Sequence, residues 1–299
     1  MSGQLRELKN RIRSVENTKK ITRAMEMVAA AKLRRFQSFM VNAKPYTEGM
    51  ERLVKRLQGQ AAGGDERSSG KLGHPFFEKR EEKQIALVLI TSDTGLCGSY
   101  NIDLVSRART FLESRTEEAA PILLGVGKSG IIALERQGLR FEQKFTDLRA
   151  SRVEEILKEF KTTLEELYLS GRVDAIYVIY SHFKTLSTYE SATEKLLPLE
   201  ETGEEGESKK QAVDYIFEPD PETLFSRLVP VFFEAKTRMI FLEALVSEQI
   251  ARMSAMHQAT KNAKEMIDAL VLQRNKVRQA MITKEIIEIV SGSQALKLK

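Results

Sequence analysis

The chain has 299 residues, of which 42% are hydrophobic and 30% charged, with a formal net charge of +5. That length and composition predict one or two domains, with charge that suits long solvated helices better than a thick core. Its most apolar run, Ile85–Ile90, is far too short to span a bilayer, and the N-terminus has neither an apolar signal region nor the Arg- and Ser-rich character of a transit peptide. One cysteine, Cys97, excludes an internal disulfide and fits a reducing compartment, so synthesis and retention in a bacterial cytoplasm are expected.

In chain order, Gln4–Lys44 contains no Gly or Pro and predicts a long helix. Leu5, Leu8, Ile12 and Val15, then Ala29, Leu33, Phe36, Met40 and Ala43, hold one heptad register. Lys19, Thr22 and Glu26 interrupt it, and Ile21, Met25 and Val28 offer an apolar stripe shifted around the helix, which reads as a stutter. Pro45 marks an expected bend, with more helix over Tyr46–Leu57. Residues 59–71 are Gly/Ser-rich and polar, a linker.

The rhythm then changes. Ile85–Ile90, Pro121–Val126 and Val173–Ser181 predict buried strands, separated by helices over Asn101–Glu113, Ser129–Arg136 and Val153–Leu169. This alternation argues a largely parallel sheet with helices on its faces. Thr188–Leu197 predicts an edge strand, Glu200–Lys210 a charged loop, and Ala212–Phe217 a return to the sheet. Asp220-Pro221-Glu222 is a helix start with Asp as cap, and Pro230 is expected to kink or restart that helix.

From Val231 to Ser291 the chain again lacks Gly and Pro, and a heptad seam runs from Phe232 through Leu242, Met253, Met256, Thr260, Ala263, Ile267, Leu270, Arg274 and Val277 to Met281. At 1.5 Å per residue this helix is roughly 90 Å long, more than a compact domain of this size can bury. Two long helices of matching period are covered most simply by pairing with each other. The expected fold is therefore α/β: a long antiparallel coiled coil of N- and C-terminal helices plus a central Rossmann-like domain. In that pairing Val15 is expected beside the C-terminal half of the last helix's middle, and Leu5 nearer its start.

Charge is unevenly placed. Residues 1–58 carry 14 Lys/Arg against 5 Asp/Glu and residues 222–299 carry 12 against 8, whereas the stretch between is acidic. Basic ends around an acidic middle predict two surfaces with different partners. Nucleic acid is not expected as one of them, because the basic residues alternate with Glu and lack interleaved aromatics.

No enzyme site emerges from the residues. Gly127-Lys128-Ser129 has the tail of a phosphate-binding loop, but the Gly required five places earlier is Ile122. Gly95-Leu96-Cys97-Gly98 fails the dinucleotide pattern and reads as a tight turn. His74, His182 and His257 are scattered singly, and Cys97 has no His nearby, so neither a metal site nor a thiol nucleophile is indicated. No cofactor and no nucleotide binding are expected.

Three stretches resemble the gamma subunit of the F-type ATP synthase, the central rotor shaft. They are Ile21-Thr-Arg-Ala-Met-Glu-Met-Val-Ala-Ala-Ala-Lys32, Ser92-Asp-x-Gly-Leu-Cys-Gly98, and Ile282-Thr283-x-Glu285-x-x-Glu288-x-x-x-Gly292-Ser293-x-Ala295. The resemblance covers the whole chain and implies a shaft helix at 1–58, a linker at 59–75, an α/β foot domain at 76–218 and a second shaft helix at 219–299. It implies a non-catalytic subunit of an ion-transporting ATPase, on the cytoplasmic face of the bacterial inner membrane and peripheral to it through the c-ring. Alpha and beta subunits would surround the shaft, and the epsilon subunit and c-ring would bind the foot. Met25, Lys32, Arg34, Arg35, Arg278, Gln279, Thr283, Glu285 and Glu288 match the face turned to the alpha/beta ring, and Asp214 and Tyr215 the foot contact. Arg274 departs from relatives that carry an aromatic there, Pro230 is unusual, and the paired regulatory cysteines of chloroplast relatives are absent. A free-standing α/β enzyme would need a complete phosphate or nucleophile motif. A structural coiled-coil scaffold would explain the helices but would not require the Ile-Thr-x-Glu signature.

Overall fold

The computed structural model describes residues 2–63, 73–115, 120–149, 151–185, 188–200, 218 and 220–297. The elements in order are α1 (Ser2–Gly63), a 3₁₀ turn at Pro75–Phe77, β1 (Ile85–Ile90), α2 (Tyr100–Glu113), β2 (Ile122–Val126), α3 (Lys128–Glu135), β3 (Phe141–Phe145), α4 (Val153–Leu169), β4 (Ala175–Thr185), β5 (Thr188–Leu197) and α5 (Pro221–Lys297). They form two compact units, one made of Met1–Ala30 with Arg252–Lys299, the other of Ala31–Ala251. The anticipated strand at Ala212–Phe217 and most of the linker and charged loop lie outside the described residues.

In the larger unit the sheet order is β3-β2-β1-β4-β5. β1 lies in the middle, parallel to both neighbours, with Val88 opposite Leu124 on one side and Val178 on the other. Every residue of β1 is buried, as a strand covered on both faces requires. On one face Leu87, Leu89, Leu123 and Ile179 pack with Tyr100, Leu104 and Ala108 of α2 and Ile131 and Leu134 of α3. Toward the other, Phe160 of α4 meets Phe145 of β3 and Phe241 of α5. Salt bridges from Lys161 to Glu234 (2.9 Å) and from Arg238 to Glu154 (2.5 Å) join α4 to α5.

β3 has no counterpart among the expected strands. Its sequence, Phe-Glu-Gln-Lys-Phe, exposes or half-exposes the three middle residues, so only tertiary pairing with β2 makes it a strand. β5 falls where expected, as an antiparallel edge strand on β4.

α5 begins as its sequence suggests: the Asp220 carboxylate accepts the Thr223 N–H at 2.8 Å, and this bond holds the carboxyl below its usual range. The expected restart at Pro230 is corrected: α5 runs through Pro230 as one helix, and α1 likewise continues through Pro45. A proline inside a helix costs about 3 kcal/mol, and burial of Val229, Phe232 and Phe233 around Pro230 is enough to hold the helix together.

In the smaller unit, the first part of α1 pairs with the last part of α5. The Thr260 hydroxyl donates to that of Thr22 at 2.8 Å, and His257 Nδ1 meets the Glu26 carboxylate at 3.0 Å. Partner numbers fall on α5 as they rise on α1, so the pair is antiparallel. Carried back at the same rise, Leu5 comes level with about residue 277. The expectation that Leu5 lies nearer the start of the last helix is therefore wrong, since antiparallel running places the earliest residues beside the latest.

The stutter is also corrected. Leu8, Ile12 and Ala29 are buried, and Thr22, in the same register between them, is only 9% exposed. Ile21 and Val28 point outward, at 59% and 56% exposed. The seam keeps its register because its polar positions find partners across it. Thr22 and Thr260 satisfy each other, and Glu26 meets His257, so no shift is needed to avoid unpaired buried groups.

Gly127 is the backbone constraint on the sheet domain. Its φ is +86°, and a Cβ there would lie 2.1 Å from the Thr91 carbonyl oxygen. Gly127→Ala is expected to lower stability by on the order of 3 kcal/mol, whereas Gly95→Ala, whose added Cβ meets nothing within 4 Å, should leave the melting temperature nearly unchanged. Thermal unfolding of the two variants checks this contrast.

Candidate functional site

In an open parallel sheet, ligands bind beyond the carboxyl ends of the strands, where backbone amides at a helix N-terminus can receive a phosphate. Here those amides are already engaged. Gly127 N–H donates to Phe145 O (2.8 Å), Lys128 N–H to Asp93 Oδ1 (3.2 Å), Ser129 N–H to Ser92 O (3.0 Å) and Gly130 N–H to the Thr91 hydroxyl (2.9 Å). Asp93 also accepts the Leu148 N–H at 2.5 Å, which places a second acidic contact where an anion would sit. The crevice is closed by protein acceptors.

The neighbouring Thr94–Gly98 turn is knitted the same way. Asn101 donates to Ser92 Oγ (2.8 Å) and to Cys97 Sγ (3.2 Å), while Leu96 and Gly98 take left-handed backbone angles. Cys97 is buried, which suits a structural thiol rather than a nucleophile.

The second candidate surface is the C-terminal part of α5. The heptad seam in the sequence ends at Met281, and the structure gives the reason. α1 begins at Ser2, which comes level with about residue 280, so α5 continues beyond its partner. Every residue from Ile282 to Ser293 is exposed, including Ile282, Ile286, Ile287, Ile289 (71%) and Val290. Five exposed aliphatic residues within nine positions form an apolar surface that no described residue covers. Heptad reading passed over them because they lie off the seam.

Of the residues singled out from sequence, Arg278, Gln279, Thr283, Glu285 and Glu288 are all exposed on this part of α5. Glu288 pairs with Lys284 at 3.6 Å, an exposed i,i+4 contact worth only a few tenths of a kcal/mol. Met25 is half-buried on α1, about 30 Å along the pair from Arg278 by helical rise, so these residues form no single cluster. Ile21, Met27 and Val28 extend the outward apolar surface on that stretch of α1. Lys32, Arg34 and Arg35 belong to the larger unit and are exposed, with the Arg35 guanidinium 5.7 Å from the Phe39 ring centroid. Asp214 and Tyr215 lie outside the described residues.

The chain thus joins a sheet domain whose β2–α3 amides are already engaged to a helix pair with an exposed, Arg-bearing stretch of α5. The family model described as ATP synthase matches residues 4–296. The ATP synthase gamma chain of Moorella thermoacetica is 41% identical over 295 residues, covering 99% of this chain and 100% of its own. That of Pelotomaculum thermopropionicum is 38% identical over 293 residues, covering 98% and 99%. In fold, the chain is similar to one from the Euglena gracilis mitochondrial ATP synthase OSCP/F1/c-ring structure, with a TM-score of 0.65, 17% identity, and 99% and 95% of the two chains covered. The chain belongs to the ATP synthase gamma-chain family.

The Thr22–Thr260 pair offers a direct check on the seam. Thr22→Val alone should lose about 1 kcal/mol by leaving Thr260 with a poorer set of partners, while Thr22→Val with Thr260→Val should recover most of it. Chemical denaturation of the three variants measures the coupling.

Proposed function

We propose that this chain turns as the central shaft within a ring of alpha and beta subunits and contributes no catalytic group itself. Ion flow through a membrane c-ring drives the rotation in this reading, with the epsilon subunit and c-ring seated on the foot. Residues 1–58 and 219–299 serve as the shaft and 76–218 as the foot, with 59–75 as linker and Asp214 and Tyr215 among the foot contacts. The chain is then peripheral to the inner membrane on its cytoplasmic side and crosses no bilayer; among its described residues no helix is long and apolar enough to do so.

The observation that carries this reading is the stretch of α5 beyond Met281, where exposed aliphatic residues accompany Arg278 and Gln279. An apolar surface with few anchors fits a part that must be enclosed yet slide. A guanidinium beside an amide adds directional donors for one carboxylate or loop at a time. Met25, Lys32, Arg34, Arg35, Thr283, Glu285 and Glu288 complete the surface turned to the ring. Because each contact differs with angle, the shaft biases each catalytic site toward a different conformation in turn. Two observations support a non-catalytic role: the closed crevice beyond β1 and β2, and a Cys97 that is buried.

Two measurements test it. Purified chain, free of alpha and beta subunits, should hydrolyse no ATP; turnover by the isolated chain overturns the reading. In a complex reconstituted with alpha and beta subunits, Arg278→Ala with Gln279→Ala should lower ATP turnover several-fold or impair assembly, as expected for desolvated contacts worth about 1–2 kcal/mol. The isolated variant should keep its circular dichroism spectrum and melting temperature. Full turnover with normal subunit stoichiometry would reduce both residues to a solvated face.

A further inference from the structure

We propose that the β4–β5 hairpin grips α5 through a proton-dependent latch, the His182–Glu243 pair, which tightens as the surroundings acidify from about pH 8 to about pH 6.

β4 pairs with β1 only from Ala175 to Ile179, so its remaining residues, with β5, form a two-stranded hairpin beyond the parallel sheet. Two-stranded hairpins are marginal by themselves and need a packing partner. α5 supplies one through two polar contacts. Lys236 Nζ lies 2.9 Å from Glu194 of β5, and His182 Nδ1 of β4 lies 2.6 Å from the Glu243 carboxylate. The Ser247 hydroxyl adds a third contact, donating to Ser181 O at 3.1 Å.

The contacts differ in their response to protons. The Lys236–Glu194 contact sets an ammonium against a carboxylate, whereas the His182–Glu243 contact sets an imidazole against one. The other groups facing this hairpin are Tyr180, which donates to Glu194 at 2.9 Å, Lys184 paired with Glu190, the cross-strand neighbour of His182, and Arg107 of α2, which donates to Thr193 at 3.0 Å. Histidine is the one side-chain class of this set that ordinarily changes its charge near neutral pH.

Glu243 sits mostly out of water, and burial pushes its carboxyl up; His182 and the Phe183 N–H oppose this, while Glu194 adds to it. A carboxyl raised in the folded state favours folding on the acid side and loses that contribution as pH rises through its folded value. Placed on the imidazole instead, the same proton sets a full cation against the buried carboxylate, so either position relieves it. At pH 8 the neutral ring offers Glu243 only an uncharged hydrogen bond, beside the like charge of Glu194. Loss of that one shared proton therefore loosens the hairpin as pH rises.

Amide hydrogen exchange of the full chain at pH 6 and pH 8, corrected for intrinsic exchange rates, tests this. Peptides spanning residues 182–185 and 188–194 should be at least about threefold more protected at pH 6 in the wild type. His182→Lys, a permanent cation, should show high protection at both pH values. His182→Gln and Glu243→Gln should each abolish the pH difference while leaving β1 peptides unchanged. Equal wild-type protection at both pH values overturns the proposal, as does a pH difference that His182→Gln leaves intact.

Discussion

An antiparallel helix pair has seam only where its two helices lie side by side, and the described part of α1 lies beside α5 only up to about residue 280. That limit explains why the heptad pattern stops at Met281 while the helix itself goes on to Lys297. It also leaves Ile282, Ile286, Ile287, Ile289 and Val290 facing outward, although residues of this kind are ordinarily buried. The sequence has not lost its apolar residues at the seam's end; they have moved off the line that α1 could cover.

The seam carries a second lesson in the stretch around Thr22 and Glu26. Polar residues lie inside and Ile21, Met27 and Val28 lie outside, the reverse of the usual arrangement. The inversion is stable because the inner polar groups find partners, Thr22 with Thr260 across the seam and Glu26 with the exposed His257 at its edge. It frees the outer face to be apolar without opening the pair. Interior polarity and exterior apolarity are thus two sides of one arrangement.

In the sheet domain, close approach excludes ligand chemistry. Gly127 lets the β2–α3 turn press against Thr91, and the amides that elsewhere cradle phosphate donate to Asp93, Ser92, Thr91 and Phe145. A Rossmann-like topology remains, and its usual binding crevice is filled by the protein's own acceptors. The hairpin of β4 and β5 reaches beyond this domain's parallel strands and depends on α5 for support, so the fold joins the sheet to the long helix where a titratable pair is placed.

Much of this was legible in the sequence because the signals are local or periodic. The apolar run Ile85–Ile90 could be read as a doubly covered strand, Asp220 with Pro221 as a helix start, and the missing glycine at Ile122 as an incomplete phosphate loop. The motifs at Ile21–Lys32, Ser92–Gly98 and Ile282–Ala295 pointed to the family. What the sequence did not disclose depended on partners distant along the chain. β3 is a strand only because β2 lies beside it, and α5 passes Pro230 only because its flanking residues are buried. The choice between the stripes at Thr22–Glu26 and Ile21–Val28 was made by Thr260 and His257, more than 200 positions away. Periodicity by itself determined that two long helices must share a seam; only the tertiary structure decided which face closes it, because hydrogen-bond partners across the seam are not written in either helix alone.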